Sequence, residues 1–346
     1  MFLECFVSVD NMMHIVFCTD INYLMPTCVA MISVCENNRD IDICFHVVVT
    51  ISQNVSSDSF SVLREIAEKY GKEYRQYQLT EEILSDYVCR GVNHVTTTAF
   101  SRVFLADLLP TSVHKVLYLD CDIVCEGRLI ELWNTDLADN NAIIAGVEDF
   151  GCYAGYARER LPLSIEDTYI NSGILLIDLL KWRENEITKK CIDCAIQEQY
   201  PFLDQDVINT VCRGNIYNLS FAFNFQIPFW LFEERFWMIS GERMEDARRA
   251  MKKPIIIHYT ENKPWFNPCL AHSSHWIKYF ELSPWSNKKH LSVGLHDIKY
   301  SPYYSKLRNL YWSEFSLMYR TLPLYLSVIQ IAHKLRNIFS KMKGKS

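Results

Sequence analysis

The stretch Val116-Leu117-Tyr118-Leu119-Asp120-Cys121-Asp122-Ile123-Val124 decides the fold, because its apolar residues are typical of a buried strand that carries two carboxylates. Alternate side chains of an extended chain share a face, so we expect Asp120 and Asp122 to point the same way and Cys121 to turn inward. Two close carboxylates repel each other unless a cation lies between them. Oxygen ligands suit Mg²⁺ or Mn²⁺, which also bind phosphates. The stretch predicts a metal–diphosphate site, although an isolated Asp-x-Asp is more often a solvated pair.

Strand and helix patterns alternate over the first 125 residues, which implies βαβ units and parallel pairing. Ligands of open α/β sheets bind beyond the carboxyl ends of strands, where Asp20 and Asp120 lie. Neither Gly-x-Gly-x-x-Gly nor a Walker A pattern is present, which excludes the standard dinucleotide and P-loop sites. Strands are predicted at 14–19, 43–50, 73–78 and 116–124, with helices at 26–36, 58–70 and 101–109.

The second half of the chain continues the α/β pattern. Residues 202–206 open a helix, and acids in a first helical turn favour a capping role for Asp204 and Asp206. Strands are predicted at 142–147, 174–177 and 254–257, with helices at 179–182, 188–199 and 207–212. The last of these strands delivers His258 at its end.

Charge and cysteine content narrow the functional classes. The net charge of −6 argues against a general nucleic-acid binder, but residues 287–346 carry eleven Lys or Arg against two acids, a net +9. This basic, aromatic tail, with two possible amphipathic helices, predicts binding to an anionic membrane surface, although a solvated tail or docked helix is the plainer alternative. Thirteen scattered cysteines favour a reduced, cytoplasmic protein. The chain contains no run of about eighteen apolar residues, so we predict no membrane span.

Five segments in a fixed order resemble glycosyltransferase family 8, and most closely its bacterial lipopolysaccharide galactosyl- and glucosyltransferase branch. The resemblance covers roughly residues 14–285. The segments are 14–23 (HIVFCTDINY), 115–123 (KVLYLDCDI), 169–178 (YINSGILLID), 203–209 (LDQDVIN) and 258–265 (HYTENKPW). The implied organisation is an extension of unknown role at 1–13, a nucleotide-sugar-binding domain at 14–285 and a helical basic tail at 286–346.

The resemblance implies a GT-A fold with a mainly parallel, Rossmann-like sheet, and retaining transfer of glucose or galactose from a UDP-sugar with Mn²⁺ or Mg²⁺. Carried over by position, Asp20, Asn22 and Tyr23 would hold the uridine, and Lys263 would grip the diphosphate. The implied metal ligands are Asp120, Asp122 and His258, and the residues lining the sugar and reacting centre are Arg102, Asp149, Asn171, Asp204 and Gln205. Val95, Cys121 and Glu261 complete the expected donor site. Glu261 stands where relatives often have Gly, and a carboxylate there would repel phosphate.

The expected chemistry follows from the leaving group. A divalent cation and Lys263 would neutralise UDP as the glycosidic bond breaks. An imidazole ligates only when neutral, so activity should fall in mild acid. Because an amide such as Gln205 is a poor nucleophile, we favour attack from the face that UDP leaves, with Asp204 and Gln205 steadying an oxocarbenium-like centre.

The sequence thus predicts a peripheral enzyme on the inner face of the cytoplasmic membrane that extends a lipid-linked oligosaccharide, such as lipopolysaccharide core. Three alternatives stay open: transfer to a capsular or protein-linked glycan, a non-catalytic nucleotide-sugar-binding scaffold, and a metal-dependent phosphohydrolase that uses Asp120 and Asp122.

Overall fold

The structure is a computed structural model that describes residues 12–51, 56–80, 100–149, 161, 163–164, 167–197, 200, 202–231, 241–260, 263–266 and 272–286. Val95, Glu261, nearly all of the 1–13 extension and residues 287–346 of the basic tail lie outside these residues. The predicted domain boundaries therefore stay predictions.

Ten strands of the described chain build two sheets. They are β1 (Met13–Thr19), β2 (Ile43–Ile51), β3 (Glu73–Thr80), β4 (Lys115–Leu119), β5 (Ile123–Cys125), β6 (Ile144–Glu148), β7 (Ile170–Asp178), β8 (Ile216–Asn218), β9 (Phe225–Gln226) and β10 (Ile256–His258). The larger sheet has seven strands in the order β3-β2-β1-β4-β7-β6-β8, and the smaller has the order β5-β10-β9.

The larger sheet is mainly parallel, as the sequence predicted. β1, β2, β3 and β4 run in one direction, and β6 pairs in parallel with β8. β7 is antiparallel to both β4 and β6. Because β1 and β4 are parallel neighbours, Asp20 and Asp120 follow strands that end at the same edge of the sheet.

Helices pack against strands of both sheets. The described helices are α1 (Leu24–Asn37), α2 (Ser61–Lys69), α3 (Leu105–Leu108), α4 (Ile130–Trp133), α5 (Leu179–Glu184), α6 (Ile187–Gln197), α7 (Leu203–Val211), α8 (Ile227–Leu231), α9 (Gly241–Lys252) and α10 (Ser273–Phe280). Among the described helices, none combines the length and apolar character that crossing a membrane requires.

Several predicted boundaries need correction. The helix expected at 101–109 is a 3-10 turn, Ser101–Phe104, followed by the short α3. The strand expected at 174–177 begins earlier, at Ile170, and the strand expected at 254–257 is Ile256–His258. The positions at which these elements begin and end depend on packing against residues distant in the sequence. The local sequence does not show that packing.

Helix α1 connects the two sheets, and most of its residues are buried. The Ser33 hydroxyl accepts a hydrogen bond from the N–H of Cys125 in β5 at 2.8 Å. Farther along α1, Asn37 Nδ2 donates to the Cys125 carbonyl at 2.8 Å. α1 therefore fixes the strand that follows the Asp-x-Asp motif.

The described residues fall into two units. The larger holds those up to residue 260 and residues 275–286, and it contains both sheets. The smaller holds 263–266 and 272–274, and within it the rings of Trp265 and Phe266 lie 5.9 Å apart.

Three polar side chains form a buried chain of hydrogen bonds across β1, β2 and β3. His14 Nδ1 lies 2.9 Å from His46 Nε2, and His46 Nδ1 lies 2.9 Å from the Tyr77 hydroxyl. Burial lowers the pKa of His46 to about 3, and the neighbouring His14 adds to the decrease. His46 is therefore neutral in the folded protein at ordinary pH.

We predict that this histidine makes the folded protein less stable in mild acid. The ordinary histidine pKa is about 6.5, so between pH 6.5 and 3 the unfolded chain binds a proton that the folded protein does not. From pH 7.5 to 5.5 the free energy of unfolding should fall by about 1 kcal/mol more in wild type than in His46→Gln. Urea titrations measure both slopes. Between pH 7.5 and 8.5 the slopes should coincide, and equal slopes over the acidic interval contradict the prediction.

Candidate active site

The Asp-x-Asp motif forms the connection between two strands. β4 ends at Leu119, and β5 begins at Ile123 in the other sheet. The single strand predicted over 116–124 is therefore wrong, because the chain changes sheet at 120–122. The two carboxylates meet through this turn and not through the alternation of an extended strand.

Neighbouring segments hold this turn in place. The N–H of Asp120 donates to the Gly173 carbonyl at 2.7 Å, and the N–H of Tyr259 donates to the Asp122 carbonyl at 2.9 Å. Between them the Cys121 side chain is buried. The predicted inward orientation of Cys121 is confirmed, and burial raises the pKa of its thiol well above the ordinary value.

The pairing of β5 with β10 brings His258 to the motif, because His258 is the register partner of Ile123. His258 Nε2 lies 3.2 Å from Asp122 Oδ1 and 3.7 Å from Asp120 Oδ2. One ligand atom from each residue lies within 4.8 Å of the others. The structure thus assembles the three predicted metal ligands, which we call the ligand triad (Asp120, Asp122 and His258).

The donor set of the ligand triad fits a hard divalent cation. The two carboxylates repel each other unless a positive charge lies between them, and an imidazole can add a nitrogen lone pair to the same cation. His258 and Asp122 are almost fully buried, which weakens solvent screening of that repulsion. Carboxylate oxygens with one imidazole are compatible with Mn²⁺ or Mg²⁺.

Arg102 fixes the position of the Asp120 carboxylate. Its Nη2 donates to Asp120 Oδ1 at 2.9 Å, its Nη1 donates to the Ser172 carbonyl at 2.6 Å, and its Nε lies 3.3 Å from Asp204 Oδ2. The Tyr118 hydroxyl donates to the same Asp120 Oδ1 at 2.6 Å. Because both donors bind Oδ1, it is the Oδ2 atom of Asp120 that faces His258 Nε2.

The charges around Arg102 are strongly interdependent. Burial alone would lower the pKa of the Arg102 guanidinium, but Asp120 and Asp204 raise it above its ordinary value. Burial raises the pKa of Asp120, and the charge of Arg102 opposes this rise. The neighbouring carboxylate of Asp122 raises the pKa of Asp120 further. Removing one partner of such a buried ion pair typically costs about 3–5 kcal/mol, because the other charge stays buried.

The predicted uridine residues follow β1. Asp20 caps the turn Ile21–Tyr23, because its Oδ1 accepts from the N–H groups of Asn22 at 2.8 Å and Tyr23 at 3.1 Å. Burial raises the pKa of the Tyr23 hydroxyl, and the charge of Asp122 raises it further. Tyr23 is therefore a neutral phenol at ordinary pH.

The residues predicted to line the sugar form one hydrogen-bonded cluster. Asn171 Nδ2 donates to Asp149 Oδ2 at 3.0 Å and to Gln205 Oε1 at 3.1 Å. Gln205 Oε1 also accepts from the Ser172 N–H at 3.1 Å, and Gln205 Nε2 donates to the Tyr169 hydroxyl at 3.0 Å. Both polar atoms of the Gln205 amide therefore have partners within the protein.

The two acids of α7 have different roles. Asp206 Oδ2 accepts from the N–H of Phe202 at 3.2 Å, so its predicted capping role is confirmed. Asp204 Oδ2 instead accepts from the Ser172 hydroxyl at 2.9 Å and lies beside Arg102. Asp204 thus belongs to the candidate site.

Sequence reasoning missed several residues that complete the site, and Asn224 is the clearest case. Asn224 is fully buried and bonds both His258 and Asn171. A single Asn among Phe residues carries no signal of its own, because only the pairing of β9 with β10 brings it to His258. The other missed residues are Tyr118, Tyr169, Ser172 and Gly173.

Three predicted residues are not placed with the site. Val95 and Glu261 lie outside the described residues. Lys263 belongs to the smaller unit. Their roles in donor binding stay predictions.

Three kinds of comparison with known proteins agree on one family. The sequence profile of glycosyl transferase family 8 matches residues 14–269. Lipopolysaccharide 1,2-glucosyltransferase of Escherichia coli K12 is 26% identical over 81% of each chain, and lipopolysaccharide 1,3-galactosyltransferase of Salmonella typhimurium is 25% identical over 83% of this chain and 84% of its own. Galactosyltransferase LgtC, solved with donor and acceptor sugar analogs, superposes with a TM-score of 0.69 at 25% identity, covering 79% of this chain and 96% of that chain.

We predict that Gly173→Ala disrupts the ligand triad. An added Cβ would lie 2.2 Å from His258 Cε1 and 2.7 Å from Asp120 Oδ2, so at least one of these residues must move. Mn²⁺ affinity, measured by calorimetric titration, should fall about tenfold or more.

Gly146→Ala is the matched control, since its added methyl would meet the end of the Ile170 side chain at 2.5 Å. This variant should bind Mn²⁺ like wild type. If Gly173→Ala and Gly146→Ala bind Mn²⁺ equally well, cation binding does not depend on the close approach of Gly173 to His258 and Asp120.

Proposed function

The chain belongs to glycosyl transferase family 8, and on this premise we propose that it transfers glucose or galactose from a UDP-sugar to a glycan acceptor. Its family and fold make it a retaining glycosyltransferase of the GT-A type. The observation that carries the proposal is the ligand triad, where the two carboxylates of one motif and an imidazole from a distant part of the chain converge. A nucleoside diphosphate with a divalent cation is the ligand class that such a site accommodates.

We assign the ligand triad to Mn²⁺ or Mg²⁺. When bound, the cation supplies charge neutralisation that makes UDP a better leaving group. The chain's own contribution is to hold Asp120 Oδ2, Asp122 Oδ1 and His258 Nε2 together before the donor arrives. Arg102 orients the Asp120 carboxylate for this purpose and opposes the rise in its pKa that burial causes.

We assign the uridine to the loop after β1. The Asp20 carboxylate is held by two backbone N–H groups, so it offers a fixed acceptor for the uracil ring N–H. Tyr23 supplies a neutral aromatic surface for stacking on the base. Lys263 would contact the diphosphate as a cation, and Val95, Cys121 and Glu261 stay as proposed neighbours of the donor.

We assign the hexose to the cluster formed by Asp149, Asn171, Asp204 and Gln205. Attack from the face that UDP leaves is favoured, because Gln205 Oε1 already accepts two hydrogen bonds from the protein and is a weak nucleophile. Asp204 and Gln205 would steady the oxocarbenium-like centre, and the departing phosphate oxygen would take the acceptor proton. Trapping of a covalent glycosyl-enzyme on Asp204 or Asp149 contradicts this route.

The acceptor that we propose is a lipid-linked oligosaccharide such as lipopolysaccharide core, extended at the inner face of the cytoplasmic membrane. Two relatives that match more than four-fifths of the chain are named as lipopolysaccharide glycosyltransferases. The net +9 of residues 287–346 is complementary to anionic lipid headgroups. Both observations support a peripheral enzyme whose basic tail binds the membrane.

We predict slow release of UDP from UDP-glucose or UDP-galactose in the absence of acceptor. The release should require Mn²⁺ or Mg²⁺ and fall by about a hundredfold or more in Asp122→Ala, because the cation loses a ligand. A coupled assay for UDP across a panel of UDP-sugars measures the rate and identifies the hexose.

Asp40→Ala is the control for this assay, since Asp40 is exposed and its carboxylate pairs with the exposed Arg128. It should retain the wild-type rate. A protein that releases no UDP is a binding scaffold, and one that releases inorganic phosphate is a phosphohydrolase. Either result contradicts the proposal.

We predict that charge reversal in the tail releases the protein from membranes. Lys341→Glu, Lys343→Glu and Lys345→Glu together should reduce sedimentation with phosphatidylserine-containing vesicles by tenfold or more, since each basic residue contributes about 1 kcal/mol. UDP release should be unchanged. Undiminished sedimentation of the triple variant shows that the tail does not provide the attachment.

A further inference from the structure

Asn224 is a fully buried residue that immediately precedes β9. Its Oδ1 lies 2.9 Å from His258 Nδ1, and its Nδ2 lies 2.9 Å from Asn171 Oδ1. Asn171 in turn bonds Gln205 and Asp149. Asn224 is therefore the link between the ligand triad and the cluster assigned to the hexose.

Backbone N–H groups fix the direction of every bond in this link. The Gly173 N–H donates to Asn171 Oδ1 at 3.0 Å, and a backbone N–H can only donate. The Asn171 atom at that position must therefore be its carbonyl oxygen. It follows that Asn224 presents its NH₂ group to Asn171 and its carbonyl oxygen to His258.

The same logic determines which ring nitrogen of His258 carries the proton. Asn224 Oδ1 can only accept, so His258 Nδ1 must donate to it. Binding a cation requires a neutral imidazole, and in that form a proton on Nδ1 leaves Nε2, the atom 3.2 Å from Asp122 Oδ1, with its lone pair available. Partners of this kind on the second nitrogen are how proteins orient metal-binding histidines.

A second backbone donor supports the orientation independently. The Ser172 N–H donates to Gln205 Oε1, so the Asn171 atom that also bonds Gln205 Oε1 must be its NH₂ group. Both assignments of the Asn171 amide agree. The hydrogen bonds thus run in one direction from His258 through Asn224 and Asn171 to Gln205, and such chains reinforce each other.

We propose that Asn224 is a positioning residue that holds His258 as the tautomer able to bind the divalent cation and that couples this ligand to the hexose-binding cluster. The proposal rests on the proposed function, because it takes the ligand triad as a cation site. Asn224 itself touches neither the cation nor the sugar. Its two bonds have separable consequences.

Two substitutions separate these consequences. Asn224→Leu removes both hydrogen bonds at similar volume, and Mn²⁺ affinity should fall about tenfold to a hundredfold. Asn224→Asp retains an acceptor for His258 but repels Asn171 Oδ1. Its Mn²⁺ affinity should stay within about threefold of wild type, which amounts to rescue by a conservative variant. Its rate of UDP release from the UDP-sugar should nevertheless fall by about tenfold.

Mn²⁺ binding is measured from the electron paramagnetic resonance signal of free Mn²⁺ during titration of the protein, and thermal unfolding without metal reports stability. Asn38→Leu is the matched control, since Asn38 is also fully buried but bonds Val34, Gly127 and Leu129. It should lose stability and keep Mn²⁺ affinity.

The outcomes distinguish this inference from the proposed function. If wild type binds no Mn²⁺, or if Asp122→Ala binds Mn²⁺ as well as wild type does, the proposed cation site fails. If wild type binds Mn²⁺ and Asn224→Leu binds it equally well, the role of Asn224 fails while the proposed function stands. The inference also fails if Asn224→Leu and Asn224→Asp lose the same Mn²⁺ affinity and this loss follows their loss of thermal stability.

Discussion

The whole site depends on holding like-charged groups together where water cannot separate them. Asp120 and Asp122 present oxygens to each other and to the lone pair of His258, and two of the three residues are almost fully buried. Such an arrangement is unfavourable without a counter-charge, so the surrounding structure must impose it. Arg102 provides part of the counter-charge, and the divalent cation assigned here would provide the rest.

Topology explains how this constraint is met. β4 runs beside β1, and its end becomes a turn into the second sheet, where β10 lies next to β5. The antiparallel β7 begins at the same edge and supplies the Gly173 carbonyl that holds Asp120. Because β5 and β10 are buried throughout and β4 is buried except at its first residue, the ligand triad is carried by buried strands. A preorganised site of this kind requires little rearrangement when the donor binds.

The network also connects the ligand triad with the residues that we assign to the hexose. Arg102 contacts Asp120 on one side and Asp204 on the other, and Asn224 connects His258 with Asn171. Under the assignments proposed above, displacement of a metal ligand would also move residues that contact the hexose.

Much of the fold follows from the sequence, because alternating apolar patterns mark β1 to β4 and the helices between them. The ligand triad was also predictable, since carboxylates separated by one residue and a late strand-end histidine belong to the motifs that resemble family 8. Other features were not. The turn at 120–122 depends on the pairing of β5 with β10, and the place of Asn224 depends on the pairing of β9 with β10. Local pattern carries no information about pairing between such separate segments.

The most direct measurement of the central claim is a crystal structure of the protein soaked with Mn²⁺ and UDP, with data collected on both sides of the manganese absorption edge. We expect one anomalous peak bonded to Asp120, Asp122 and His258, at about 2.0–2.3 Å from their ligand atoms. A manganese peak elsewhere, or UDP bound with the three side chains uncoordinated, would contradict the account.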